Sequence, residues 1–391
     1  MKQNPRLSII KDLMVEFADR TGLSTGGTAP RRYLWTDAFS VCNFLELYRQ
    51  TRDERYMGLA LLLVDQVHEV LGRHREDDPR TGWISGLDEP TGSLHPTMGG
   101  LRIGKKLNER RPSDPFNDRL EWDRDGQYYH YLTKWMHALN CATRATGDRA
   151  YSVWAIELAK TAHARFTYVP YPGGTKMMYW KMSIDLTRPL VSSMGHHDPL
   201  DGLVTYSELQ ATAAEDPKRS PDLDLSREIE DMVDMCKGRD WATDDPLGIG
   251  GLLSDACRVA QMVVKGVFHD TGLLETLLEN SRHGLNDLAR TKALRFPADY
   301  RLAFRELGLS IGLRAVSKMK HLIETEPDSF NKKQELQRLV EMLMQYTPLA
   351  ETIENFWLEP TNRDVPSFTD HRDINIVMLA TSLAPDGYLA L

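Results

Sequence analysis

Residues 36–71, TDAFSVCNFLELYRQTRDERYMGLALLLVDQVHEVL, decide the fold. The first part, Thr36–Arg49, is apolar nearly all round. The second repeats Tyr56, Leu59, Ala60, Leu63, Val64, Val67, Val70 and Leu71 at helical spacing, with Asp65, Gln66, Glu69 and Arg73 on the other face. A helix without a wet face is covered on both sides, whereas a one-sided helix separates a core from water. Between the two lies Thr51-Arg52-Asp53-Glu54-Arg55-Tyr56, a T-x-D-x-x-Y turn in which Asp53 suits an N-cap and Tyr56 packs back on the hairpin.

The same unit recurs. Gln127–Ala145 is apolar all round, and Thr146-Gly147-Asp148-Arg149-Ala150-Tyr151 repeats the T-x-D-x-x-Y turn before the next one-sided helix. Leu247–Val264, Leu302–Val316 and Ile374–Leu383 are further all-round helices; 272–290 and 331–348 are one-sided. The periodicity predicts an all-α chain with helices near 6–20, 36–50, 53–72, 126–146, 149–166, 186–213, 224–237, 247–265, 272–290, 300–320, 331–348 and 372–384. These twelve pair as six outer–inner hairpins in two concentric layers. The irregular stretch 73–124 is too long for a passive loop, so it is read as an inserted rim loop or lid, with Gly82–Gly86 and Leu101–Gly104 as short strands. The whole chain, 1–391, reads as one domain.

With its twelve-helix layout, its two T-x-D-x-x-Y turns and its acidic–aromatic clusters before inner helices, the sequence resembles the six-hairpin glycosidase-like superfamily. The resemblance implies an (α/α)6 toroid whose loops entering the inner helices form one rim, where a sugar binds. It also implies a glycoside hydrolase, with inversion the commoner outcome. A sugar epimerase of the N-acylglucosamine 2-epimerase type, working with histidine pairs, is the alternative on the same scaffold. A non-catalytic carbohydrate-binding protein is a third reading.

Composition bounds these readings. The chain has 391 residues, 41% hydrophobic and 27% charged, which excludes disorder and coiled coil as descriptions of the whole. A net charge of −8 does not suit a general nucleic-acid binder. The longest clean apolar run, Met57–Val64, is far short of the ~20 residues that span a bilayer, so no membrane partner is expected. Leu7–Arg20 is amphipathic, carrying Lys11, Asp12, Glu16 and Asp19, and is unlike a signal peptide. Cys42, Cys141, Cys236 and Cys257 are far apart without a CxxC pair and read as buried reduced thiols, so a cytoplasmic location is expected. Phosphate-loop, dinucleotide, serine-hydrolase and zincin motifs are absent; no cofactor and no metal are expected.

Hydrolysis of a glycoside needs two carboxyl groups, with aromatic faces to carry the sugar. Trp35-Thr36-Asp37 opens the first inner helix, so Asp37 is either a first-turn acid favoured by the helix dipole or a rim carboxylate, a candidate catalytic base, with Trp35 as platform. Glu121-Trp122-Asp123-Arg124-Asp125-Gly126-Gln127-Tyr128-Tyr129-His130 is the richest segment. It makes Asp125 the preferred acid, with Trp122, Tyr128 and His130 as sugar contacts. In Met194-Gly195-His196-His197-Asp198-Pro199-Leu200-Asp201, Asp201 is a candidate base, and His196 and His197 are candidate hydroxyl contacts, with Trp180 upstream as a stacking face. Adjacent histidines diverge by about 100° on a helix, which disfavours chelation by that pair. Trp241 and His371, before the fourth and the last inner helices, are further candidate sugar contacts, and Asp245 before Pro246 reads as an N-cap. Arg102, Lys105, Lys106, Arg110 and Arg111 form either a solvated basic loop or a lid for an anionic sugar.

Overall fold

The all-round and one-sided helices of the sequence become inner and outer helices in the computed structural model, which describes residues 5–24, 29–216, 220–269 and 271–391. Among these, thirteen helices reach eleven residues or more: α1 (Pro5–Arg20), α2 (Leu34–Thr51), α3 (Glu54–Leu71), α4 (Tyr129–Thr146), α5 (Arg149–Phe166), α6 (Asp198–Ala214), α7 (Ser226–Cys236), α8 (Pro246–Val264), α9 (Gly272–Thr291), α10 (Ala303–Thr325), α11 (Lys333–Met344), α12 (Pro348–Leu358) and α13 (Arg372–Leu383). Every residue of α2 from Leu34 to Leu47 is buried, as is every residue of α6 from Asp198 to Leu209. In α3 burial is confined to one stripe of Tyr56, Ala60, Leu63, Val64, Val67, His68 and Leu71. Periodicity therefore sorted the layers correctly.

The chain divides into two compact units. The first is Thr21–Gly238; the second joins Met1–Arg20 to Arg239–Leu391. In the first unit α2 pairs with α3, α4 with α5 and α6 with α7, while α4 packs against both α2 and α6. In the second, α8 pairs with α9 and α10 with α11, and α10 packs against α8 and α13. The remaining outer partner comes from the far end of the chain: α1 packs on α13, with Arg20 Nε 2.7 Å from Asp373 Oδ1. Helix α8 is long and apolar enough to cross a membrane by length and composition, and 72% of that stretch is buried, as an inner helix requires.

The repeated turn works as its residues dictate. Thr51 Oγ1 donates to Leu47 O and accepts from Asp53 N–H; Thr146 Oγ1 does the same with Ala142 O and Asp148 N–H. Asp53 then caps α3 at Arg55 N–H, and Asp148 caps α5 at Ala150 N–H. Tyr56 and Tyr151 are both buried against their hairpins. Asp53→Ala and Asp148→Ala are each expected to cost about 1 kcal/mol, a fall of about 2–4 °C in Tm by thermal denaturation.

Three expectations need correction. The segment 186–213 is not one helix: Leu186 sits at φ 56°, Pro189–Val191 forms a strand, and α6 starts only at Asp198. Helix 331–348 ends at Met344, and Pro348, which has no N–H to donate, starts the additional α12. Gly82–Gly86 and Leu101–Gly104 are not strands. Their main-chain groups bond to scattered partners, Ile84 N–H to Gly72 O, Arg102 N–H to Leu71 O and Ile103 N–H to Gly126 O, so no ladder forms. The stretch 73–124 instead holds the short helices Glu89–Leu94 and Asp118–Asp123.

The strands that do form are β1 (Gln127–Tyr128), β2 (Thr167–Tyr168), β3 (Met177–Met178), β4 (Lys181–Met182) and β5 (Pro189–Val191). β4 lies between β1 and β5, antiparallel to both. Its register with β1 pairs Gln127 with Met182 and Tyr128 with Lys181, which brings Trp180 to the start of α4. Gly126 allows this approach: it sits at φ +143°, and a Cβ there would lie 2.7 Å from Met182 O.

Candidate active site

The first turns of α2, α4 and α6, all in the unit Thr21–Gly238, carry Trp35, His130 and Asp198. Aromatic rings line the space around them. The ring centroids of Trp35 and His130 are 6.0 Å apart, and those of Trp35 and Tyr131 5.3 Å. Trp180 stacks over His130 at 6.3 Å with 15° between planes and lies 5.2 Å from Tyr128. The half-exposed Trp122 meets Trp180 edge-on at 5.3 Å. Tyr33 and Tyr131 share a hydroxyl hydrogen bond of 2.7 Å, and Lys105 Nζ lies 5.3 Å above the Tyr33 ring.

Three buried polar atoms in this group have no hydrogen-bond partner: Trp35 Nε1, His130 Nδ1 and Asp198 Oδ2. Buried polar groups are ordinarily hydrogen-bonded, so these three atoms on neighbouring helix starts can take up polar groups of a ligand or water. His130 Nδ1 is 3.6 Å from Asp198 Oδ1, just beyond hydrogen-bond length. Burial, reinforced by Asp201, pushes the Asp198 carboxyl up to about 8. Burial pushes the His130 imidazole down to about 4. Near neutrality the two groups therefore face each other as a carboxylic acid and a neutral imidazole.

Asp201, one turn further along α6, is held at both oxygens: Oδ1 takes Lys134 Nζ at 2.6 Å and Oδ2 takes Thr133 Oγ1 at 2.6 Å. Lys134 follows His130 by one turn of α4, so one helix face supplies both the imidazole and the cation. Gly195 keeps Asp198 in place, because a Cβ there would lie 2.4 Å from Asp198 Oδ2 and 2.5 Å from Oδ1. Gly195→Ala is expected to displace the carboxyl. The pH dependence of activity should shift, with little change in circular dichroism.

The other candidates from the sequence are placed differently. Asp125 is fully buried beneath the rim, where Oδ2 receives Arg102 Nη1 at 2.7 Å and Arg75 Nη1 at 3.2 Å, and Oδ1 receives the N–H groups of Gly104 and Gly126. Those four donors make it a tie between the inserted loop and β1. Asp37 accepts the Tyr33 N–H at 2.8 Å and faces Arg32 at 3.6 Å, so it orders the entry into α2. His196 is exposed and His197 half-buried, their rings 4.7 Å apart just before α6. Trp241 and His371 belong to the other unit: Trp241 is buried, and His371 is exposed with its ring 5.9 Å from Phe304. Asp245 caps α8 at Gly248 N–H. Of the basic loop, Arg102 is buried on Asp125, and Arg110 is bound to Glu121 and Leu190 O. Lys106 and Arg111 are exposed.

Asp198, Tyr33 and Tyr131 are the site residues that sequence reasoning did not select. Asp198 stood inside the quoted His196–Asp201 stretch, but its partner His130 is 68 positions away. No spacing rule links the two.

No protein-family profile matches this chain, and no curated protein matches it in sequence. Solved structures do. A selenomethionine derivative of a GH76 α-mannanase from Bacteroides thetaiotaomicron is similar at 10% identity and a TM-score of 0.53, over 98% of this chain and 97% of that one. An inactive variant of the α-1,6-mannanase GH76A of Salegentibacter sp. HEL1_6, in complex with α-1,6-mannotetrose, is similar at 12% identity and a TM-score of 0.50, over 98% and 99%. A D-mannose isomerase follows at 12% identity and a TM-score of 0.49, over 97% of each chain. The chain shares the (α/α)6 fold of these mannanases. At these identities the likeness carries the fold and leaves the chemistry to the site.

Proposed function

We propose that this protein is a carbohydrate-active enzyme, a glycoside hydrolase acting at the first turns of α2, α4 and α6 with Asp198 as general acid. The observation that carries this reading is a buried carboxyl with an unpartnered oxygen, facing His130, whose ring packs with Trp35, Tyr128, Tyr131 and Trp180. Aromatic faces take the C–H side of a sugar ring, and a carboxyl with a raised pKa donates a proton to the departing glycosidic oxygen. Asp201, three residues on along α6 and held by Lys134 and Thr133, is the second carboxylate of the pair. The fold shared with mannanases supports a carbohydrate substrate.

A specific observation also favours a second reading. His130 and Asp198 form a neutral base–acid pair 3.6 Å apart, the arrangement that moves a proton on and off carbon beside a carbonyl, as in sugar epimerisation. Incubating the protein with an oligosaccharide panel in D2O separates the two. New reducing ends without deuterium at C2 support hydrolysis; deuterium at C2 without chain cleavage supports epimerisation. Neither product from any sugar, together with unchanged sugar binding by Asp198→Asn, would support a binding protein and sink both. In either enzyme, Trp180→Ala is expected to remove roughly 1 kcal/mol of stacking, seen as about a fivefold rise in KM with kcat little changed.

A further inference from the structure

A second cluster lies deeper in the same three inner helices. Cys42 is seven residues beyond Trp35 on α2, and His137 is seven beyond His130 on α4, each about 10 Å further along its helix. Cys141 follows His137 by one turn. Cys42 Sγ, Cys141 Sγ and one ring nitrogen of His137 lie within 4.8 Å of one another, and all three residues are buried. The sequence hides this group, because Cys42 and Cys141 are 99 positions apart.

We propose that Cys42, His137 and Cys141 bind a zinc ion. Zn–S bonds of about 2.3 Å and Zn–N bonds of about 2.0–2.1 Å at the tetrahedral angle place sulfur and nitrogen roughly 3.6 Å apart. Cys141 Sγ and His137 Nε2 are 3.6 Å apart. A thiol–imidazole hydrogen bond has a similar length, and the surroundings distinguish the two. His137 Nδ1 lies 3.0 Å from both carboxylate oxygens of Glu208 on α6. A proton held there leaves Nε2 as a lone pair facing the sulfurs, the carboxylate–histidine pairing that orients imidazoles on metals. Asn140 donates Nδ2 to Glu208 Oε1 at 2.6 Å, which fixes the carboxylate that holds His137.

Charge selects the ion. Arg144 Nη2 lies 3.3 Å from Cys141 Sγ. Two thiolates, Glu208 and Arg144 together carry two net negative charges, which a divalent ion neutralises and a monovalent copper ion does not. Binding replaces the two thiol protons, which leave to solvent, and forms two Zn–S bonds and one Zn–N bond; no electron moves.

The test is metal content and spectroscopy on the full chain. Protein expressed with added zinc is expected to hold about one zinc per chain by mass spectrometry of the metal. After replacement by Co2+ it should show the near-ultraviolet band of thiolate-to-cobalt charge transfer. Glu208→Gln is expected to weaken zinc binding by about 10–100-fold, and Cys42→Ser with Cys141→Ser to abolish it. If the cysteine variants fail to fold, the Co2+ spectrum of the wild type decides alone. The proposal is overturned by folded wild-type protein that takes up no zinc, or by a Co2+ spectrum without thiolate bands. Equal zinc in a folded double cysteine variant, as a surface group such as Glu275, Glu279 and Glu335 would give, or a Cys42–Cys141 disulfide in the isolated chain, would overturn it too.

Discussion

Asp198→Asn is expected to lower kcat/KM by about 10²–10⁴-fold, the usual contribution of a general acid, while the protein stays folded. Asn matches Asp in shape but carries no transferable proton, and it avoids the desolvation that raises the Asp198 carboxyl to about 8. In the wild type, activity that depends on the protonated acid should hold below about 8 and fall as pH rises through it. Stability carries the same sign. A folded-state pKa above the ordinary value of about 3.9 means that the contribution is complete below that value and is lost as pH rises toward 8. The Asn variant should therefore lose less stability than the wild type between these limits. His130 has the opposite sign: its folded value of about 4 lies below the ordinary one, so its contribution is present above about 6.5 and lost as pH falls through 4. A variant that keeps wild-type kcat/KM would remove Asp198 from the chemistry.

Asp125→Ala should have the largest effect on stability, about 3–5 kcal/mol, because it leaves the buried Arg102 guanidinium facing a hole. Arg75 and the N–H groups of Gly104 and Gly126 lose their acceptor as well. Denaturant unfolding measures the loss. Under conditions where the variant remains folded, its activity per folded molecule should be near that of the wild type. The reverse pattern, normal stability with activity lost, would show that Asp125 is the acid and that its arginines serve the reaction.

Asp125 and Asp198 also show where the sequence stops speaking. Asp125 stood in the densest acidic and aromatic segment of the chain, the proper place to search. Its partners Arg102 and Arg75 lie 23 and 50 positions away and consume it. Asp198 sat beside two histidines that drew attention to themselves, yet the histidine it faces is on another helix. Trp35, Tyr128, His130 and Trp180, chosen as aromatics or histidines near inner-helix starts, do come together: Trp35 and His130 stand in the first turns of inner helices, and the β1–β4 register adds Tyr128 and Trp180. Trp241 and His371 met the same criterion and lie in the other unit.

The sequence by itself determined the helical layers and the hairpin turns. Both rest on interactions within a few residues: the apolar face repeats every three to four positions, and Thr51 with Asp53, like Thr146 with Asp148, closes a turn through its own backbone. Only the tertiary structure decided which carboxylates are neutralised, which one is left protonated, and that Cys42 meets Cys141. Those outcomes depend on desolvation and on charges brought from distant parts of the chain, and both are properties of packing that no local pattern encodes.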